Sequence, residues 1–346
     1  MNQQQFIVVR TDAGPQADLS TEAAILAAVG ARLERTQARD QAALAEALRN
    51  ADAVIVGGAY ITEPVAAAME RCQVVVRTGV GYDTLDVPAL TRHGIIALNL
   101  PDIWTEEVAN HALALLLALN RRLWPMDRVI REGGWRAGPA ASIGPIYGET
   151  AGIVGLGRIG SAFARRCRAL DMRVLAYDPY VTEPDPATGA TLVQSPVELL
   201  EQSDYVSIHC LLNDETRHLI DESALQRMRP TAYLINTARG PIVDNEALLR
   251  ALQEGWIAGA GLDTFEPEPP PADSPLRTLP NVILSPHNAF FSDASVARMR
   301  KRVADDIVHV LRGGWPQFAL NPELATHPKH AHRSGRPESQ TVGSAP

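Results

Sequence analysis

Three polar residues in the second half of the chain each follow a short apolar run. They are Arg239 in Asn236-Thr237-Ala238-Arg239-Gly240, Glu268 in Asp263-Thr264-Phe265-Glu266-Pro267-Glu268-Pro269, and His287 in Ser285-Pro286-His287. Moving a hydride between a carbinol carbon and a nicotinamide needs three groups. They are a proton acceptor for the hydroxyl, a cation for a carboxylate and carbonyl, and an anion to tune the acceptor. His, Arg and Glu meet those needs. Singly, each has a plainer reading as a surface charge, a loop carboxylate or a structural histidine. Together, each after its own strand, they favour the chemical one.

A hydride carrier needs a cradle, and Gly155-Leu156-Gly157-Arg158-Ile159-Gly160 has the G-x-G-x-x-G pattern. The apolar run Ala151–Val154 precedes it and an amphipathic helical stretch follows. The first glycine serves a tight turn, the second close approach of a pyrophosphate, and the third helix-on-strand packing. The helix start adds N–H donors and a partial positive charge. Asp178 ends the next strand, 18 residues past Gly160, where a carboxylate binds ribose hydroxyls and repels a 2′-phosphate. The cofactor expected is NAD rather than NADP.

Short apolar runs alternate with helical-period segments, the rhythm of parallel sheets covered on both faces. The strands expected first are Phe6–Val9, Ala53–Val56, Val74–Arg77 and Ile95–Leu98, with helices over Thr21–Val29 and Asp40–Arg49. A second series has strands Ala151–Val154, Arg173–Tyr177, Tyr205–Cys210, Ala232–Asn236, Ala258–Leu262 and Val282–Ser285. Its helices are Ile159–Leu170, Pro196–Gln202, Glu222–Met228 and Asn245–Glu254. A long helix over Thr105–Leu123 joins the halves, and another, Asp293–Leu311, returns toward the first. The expected fold is α/β, with two doubly wound parallel-sheet domains and a cleft between them. Hinges are expected at Asn99–Asp102 and just after Ser285-Pro286-His287.

With 346 residues, 46% hydrophobic and 21% charged, the composition is that of a globular protein large enough for two domains. A net charge of −8 and 5% aromatics argue against nucleic acid or an anionic membrane as the main partner. Cys72, Cys167 and Cys210 form no C-x-x-C pair, and Met1–Gln5 leads into no secretory h-region, so a cytoplasmic location is expected. The run Ala112–Leu119 is too short for a membrane span of about 20 residues. Its apolar character around most of a helix points instead to a homodimer contact. Beyond Ala325 the chain is rich in Pro, Ser, Gly and His, and reads as a mobile tail over 326–346. His327, His330 and His332 fit no structural zinc pattern, and no metal is expected.

From about residue 74 to 312, the chain resembles the D-isomer-specific 2-hydroxyacid dehydrogenases. The matching pieces are Arg77-Thr78-Gly79-Val80-Gly81-Tyr82-Asp83, the glycine fingerprint, Asn236–Gly240, and the Glu268 and His287 segments, in the family's order and spacing. Thr105–Ala109 and Pro286–Ser292 look closest to the C-terminal-binding-protein-like branch. The resemblance implies a Rossmann NAD-binding domain over 101–291 and a discontinuous, flavodoxin-like substrate domain from 1–100 and 292–325.

It also implies that His287 is the general acid/base, that Glu268 hydrogen-bonds it, and that Arg239 binds the substrate carboxylate. Val80 and Gly81 amides would hold that carboxylate too, with Phe290 near the substrate. Thr105, Thr237, Ala238 and Asp263, with His287, would contact the nicotinamide end of NAD. Gly155, Gly157, Arg158, Ile159, Gly160 and Asp178 would hold its phosphates and ribose, and His209 and Cys210 would lie by the adenosine. Asp263 also has a plain reading, as a cap on the loop after its strand. The chain departs from the family at Cys210-Leu211-Leu212, where Pro is common, and at Asn288-Ala289, where two glycines usually follow the histidine. Phe290-Phe291 comes next, so the departures bear on the substrate's side chain rather than on the reaction. The expected activity is NAD-dependent interconversion of a D-2-hydroxyacid and its 2-ketoacid. The alternatives are an NAD(H)-sensing corepressor-like scaffold and 3-phosphoglycerate dehydrogenase.

Overall fold

The computed structural model describes residues 6–38, 40–135 and 143–336. The chain forms two compact units. One runs to Trp104 and resumes at Ser292; the other is Thr105–Phe291.

The first unit has five parallel strands: β1 Ile7–Thr11, β2 Arg32–Thr36, β3 Ala53–Val56, β4 Val74–Arg77 and β5 Ile96–Leu98, in the order β2-β1-β3-β4-β5. This is the flavodoxin-like order. β3 and the valines of β4 are buried on both faces, as their unbroken apolar runs require. β2 is absent from the sequence-based expectation. It is an edge strand reading Arg-Leu-Glu-Arg-Thr with no buried residue, so no apolar signal announces it. The helices Glu63–Ala68 and Val87–Arg92 are likewise absent from the sequence-based expectation, because six residues with Pro at the second position are too short to show a period.

The second unit has seven parallel strands: β6 Thr150–Val154, β7 Arg173–Tyr177, β8 Ala190–Leu192, β9 Tyr205–Ile208, β10 Tyr233–Asn236, β11 Gly259–Leu262 and β12 Val282–Leu284. Their order is β12-β11-β10-β9-β6-β7-β8, the Rossmann order extended by one strand. The three-residue edge strand β8 escaped the sequence reading as β2 did. The chain reverses direction across the sheet between β6 and β9, which places the ends of β6, β7, β9, β10, β11 and β12 along one edge.

The helix Thr105–Asn120 buries one apolar face inside this unit. Ala109, Ala112, Leu115, Leu116 and Leu119 are buried with Ile153, Phe163, Val174 and Ile235. A Cβ on Gly261 would come within 3.0 Å of Leu115 Cβ, so the bare β11 backbone is what lets this helix seat. Leu113, Leu117 and Ala118 are only partly buried and Ala114 is exposed, so apolar surface remains on this helix beyond the face its own core takes. Larger exposed apolar side chains lie just beyond, at Leu123, Trp124 and Ile130 of the helix Leu123–Arg131 and at Trp135.

The expectation of a mobile tail from residue 326 is corrected for 326–336. Short 3-10 turns form at Pro322–Thr326 and Pro328–His330, and His330 and Arg333 are buried. Hydrogen bonds rather than apolar period anchor this segment. Arg333 donates to the carbonyls of Val310 and Gly314, to Gln73 Oε1 at 2.8 Å and to His330 Nδ1 at 2.9 Å. His330 Nε2 sits 3.0 Å from the Gly94 carbonyl. The remainder of the expected tail, 337–346, lies outside the described residues. Among the described residues no helix is long and apolar enough to cross a membrane.

Candidate active site

The glycine turn between β6 and the helix Arg158–Ala169 has three different reasons for its glycines. Gly155 has φ +92°, and a Cβ there would lie 2.5 Å from the Cys210 amide nitrogen. Gly160 faces backbone: a Cβ would meet the Gly155 carbonyl oxygen at 2.1 Å. Around Gly157 none of the described residues beyond its chain neighbours lies within 4 Å of the Cβ position, so this glycine faces open space. Exposed Arg158 and partly exposed Ile159 start the helix beside it.

Asp178 follows β7. Its Oδ2 accepts the Leu156 amide at 2.8 Å and its Oδ1 the Tyr180 amide at 2.9 Å, which ties the carboxylate to the glycine turn. His209, after β9, packs on Phe163 with ring centroids 5.1 Å apart and bonds Ser207 Oγ at 2.8 Å. Burial pushes His209 down to about 3 and the Cys210 thiol up to about 12, so both are neutral walls near neutral pH.

After β10, Asn236 shapes the next loop, a role the sequence reading missed. Its Oδ1 accepts the Ala238 amide at 3.0 Å and its Nδ2 donates to the Arg239 carbonyl at 2.8 Å. Thr237 is buried, and its hydroxyl has no partner among the described residues. Arg239 Nη1 donates to the Ala238 carbonyl at 2.9 Å. A Cβ on Gly240 would lie 2.0 Å from the Phe265 carbonyl oxygen, so this loop presses on the backbone that leads to Glu268.

Glu268 and His287 are brought together as expected: Nδ1 of the ring lies 2.7 Å from Oε2. Glu268 Oε1 accepts the Phe265 amide at 2.9 Å. Burial pushes the Glu268 carboxyl upward. The His287 hydrogen bond and charge, the Phe265 amide and the Arg239 charge outweigh it and hold the group below the ordinary carboxylate range. His287 itself has φ +50°, rare for an L residue. With Nδ1 engaged, Nε2 is the ring atom left to meet a ligand.

Asp263 is fully buried, and the chain's own donors surround its carboxylate: Ser285 Oγ at 2.6 Å and the amides of Asn288 and Ala289 at 2.9 and 2.8 Å. Of the two readings open for it, this geometry matches the loop cap. Phe290 is partly buried, and Phe291 is 55% exposed. Thr105, partly exposed, opens the helix Thr105–Asn120. Val80 and Gly81 belong to the other unit, after β4, where Asn99 Nδ2 donates to the Val80 carbonyl at 2.7 Å. Among the described residues no group of three or more His, Cys, Asp or Glu could hold a metal ion.

NAD fits these residues on structural grounds. Gly157 leaves room for a pyrophosphate, the Asp178 carboxylate is tied to the same glycine turn, and the buried Thr237 hydroxyl has no partner among the described residues. A Rossmann sheet, a dinucleotide cradle and an Arg, Glu and His set at neighbouring strand ends define a nicotinamide-dependent oxidoreductase. Residues 113–289 match the D-isomer specific 2-hydroxyacid dehydrogenase, NAD binding domain. A glyoxylate reductase of Korarchaeum cryptofilum is 44% identical over 288 residues, 81% of this chain and 85% of that one. A D-3-phosphoglycerate dehydrogenase of Methanocaldococcus jannaschii is 37% identical over 280 residues, 80% of this chain and 53% of that one. A D-lactate dehydrogenase from Aquifex aeolicus, solved with NAD and lactic acid, superposes with a TM-score of 0.79 at 30% identity, covering 88% of this chain and 96% of that one. The chain belongs to the D-isomer-specific 2-hydroxyacid dehydrogenase family and is an NAD-dependent enzyme of that class. These relatives do not single out the C-terminal-binding-protein branch.

Proposed function

We propose that the protein reduces a small 2-ketoacid to its D-2-hydroxyacid, with glyoxylate the first substrate to test. The observation that carries this reading is the His287–Glu268 pair at 2.7 Å, one loop from Arg239. Bound NADH supplies the hydride. Arg239 binds the carboxylate of the ketoacid through its guanidinium fork and polarises the carbonyl. His287 Nε2 gives its proton to the carbonyl oxygen as the alkoxide develops, and Glu268 offsets the ring's positive charge before that transfer. In the oxidation direction the neutral ring accepts the hydroxyl proton at the same atom. Gly155, Gly157, Gly160, Arg158 and Ile159 position the pyrophosphate, Asp178 the ribose, and Thr105, Thr237 and Ala238 the nicotinamide end, with His209 and Cys210 walling the adenosine.

Glyoxylate leads because of the 44% identical relative, and 3-phosphohydroxypyruvate is the second substrate to test because of the 37% identical one. A panel of 2-ketoacids with NADH and with NADPH tests the reading. Turnover of glyoxylate or another small 2-ketoacid with a preference for NADH is expected. No turnover of any ketoacid, despite NADH binding, favours the scaffold alternative. The reading includes a cytoplasmic homodimer. Its support is the exposed set Leu123, Trp124 and Ile130 on the helix Leu123–Arg131, which follows Thr105–Asn120 across a turn at left-handed Arg122. A monomer in sedimentation at micromolar concentration refutes the dimer.

A further inference from the structure

His287 holds a left-handed backbone conformation at φ +50°, and an L residue leaves that conformation unless its surroundings over-determine it. One residue takes three amides of the turn, the first of them shared with the Ser285 carbonyl at 3.1 Å. The His287 amide donates to the Asp263 carbonyl at 2.8 Å, the Asn288 amide to Asp263 Oδ1 at 2.9 Å, and the Ala289 amide to Asp263 Oδ2 at 2.8 Å. Three successive N–H groups of the turn thus end on a single, fully buried aspartate at the end of β11.

The aspartate is itself held. Ser285 Oγ donates its one hydrogen to Asp263 Oδ1 at 2.6 Å. With that hydrogen spent, Ser285 Oγ is the acceptor in its 2.9 Å bond to His111, so Nε2 of His111 carries the hydrogen. His111 lies on the helix Thr105–Asn120, and its Nε2 is 3.7 Å from Asp263 Oδ1. A chain of three side chains therefore runs from that helix to the turn carrying His287. It lies within one unit, Thr105–Phe291.

We propose that Asp263 and, through Ser285, His111 are positioning residues that hold His287 in its left-handed conformation and so aim Nε2. This rests on the reading of His287 as the acid/base. It gives Asp263 a different task from the nicotinamide contact implied by the family resemblance. The bonding also explains why an isosteric amide cannot substitute. In either orientation of the amide introduced by Asp263→Asn, its NH2 would face a donor of the turn.

The test uses the full-length protein, with hydrogen–deuterium exchange of the 285–291 peptide, NADH affinity by fluorescence, and turnover of the preferred ketoacid at saturating NADH. Asp263→Asn is expected to speed exchange at residues 287–289 by tenfold or more. It should lower kcat by roughly 10²-fold, within the range a misplaced acid loses, while the NADH Kd stays within about twofold of the parent. His111→Phe is expected to lower kcat by about tenfold, the worth of one buried hydrogen bond. His111→Gln, which retains an N–H donor, should recover most of that loss. If Asp263→Asn does not fold, Ser285→Ala and His111→Phe give the same readouts. Unchanged exchange at 287–289 overturns the proposal. So does a tenfold weaker NADH Kd with kcat intact, which would assign Asp263 to the nicotinamide. If the parent reduces no 2-ketoacid, the reading of His287 fails, while the exchange result still decides whether Asp263 holds the turn.

Discussion

At the scale of residues, the division of labour on one imidazole sets the direction of pH dependence. Glu268 occupies Nδ1 and is itself held below the ordinary carboxylate range, so it keeps its charge well into acid. Reduction consumes a proton from the charged ring, and that charge is what the anion favours. Glu268→Gln keeps the shape and removes the anion. Its rate of ketoacid reduction is expected to decline with rising pH sooner than the parent's, while hydroxyacid oxidation extends to lower pH. Coincident pH–rate profiles in the reductive direction would show that Glu268 does not tune His287. His287→Ala is expected to lose ~10²–10⁴-fold in kcat in both directions, measured at saturating NADH or NAD. Arg239, Glu268 and His287 were legible because each closes an apolar run at the strand end where ligands bind in such sheets. Asn236, Ser285 and His111 were not. Their work is hydrogen bonding to backbone or to another polar side chain, which leaves no periodic trace in a single sequence.

At the scale of elements, the glycine turn separates binding from stability. A side chain at Gly157 enters open space, whereas one at Gly160 enters the Gly155 carbonyl. Gly157→Val should therefore melt near the parent temperature yet lose NADH binding by titration. Gly160→Ala should lose about 1–3 kcal/mol of stability in denaturant unfolding, the usual cost of overpacking. Equal melting losses for both would contradict this division. The elements read correctly from sequence are those with an apolar signature: β3, β4 and β7, and the helices Pro196–Gln202, Asn245–Glu254 and Asp293–Leu311, match residue for residue. The missed edge strands and short helices share a cause, which does not extend to the nine-residue helix Leu123–Arg131, read from sequence only as the end of Thr105–Leu123. β2 and β8 are edge strands with no buried residue, and the missed helices of the first unit are six residues each. Pairing with a neighbour or a Pro at the start fixes them, rather than burial of their own pattern.

At the scale of the whole molecule, buried histidines make stability depend on acidity. Burial pushes His330 down to about 4 and His209 down to about 3. From pH 6.5 down to about 4 the unfolded chain takes up protons at these positions while the folded chain does not. Stability is therefore lost as pH falls through that window and is constant above it, by up to about 1.4 kcal/mol per pH unit per histidine. Thermal melts at pH 7, 5.5 and 4.5 should show the decline, and His330→Gln should make it shallower. An unchanged slope in that variant would place His330 outside the acid response.

The discontinuous first unit has a consequence for how the protein is made. Strands β1 to β5 leave the ribosome before the helix and turns that complete their unit, because residues 105–291 are synthesised in between. Asn321, which takes the Ala97 amide and donates to the Ile95 carbonyl, arrives only after them, as does Arg333 with its bond to Gln73. At ~5–20 residues per second that interval lasts roughly 10–40 s. For that time the edge of β5 waits uncapped, and by its end the contiguous nucleotide-binding unit has every strand it needs. The order of translation thus makes the unit that is first in sequence the last to be finished.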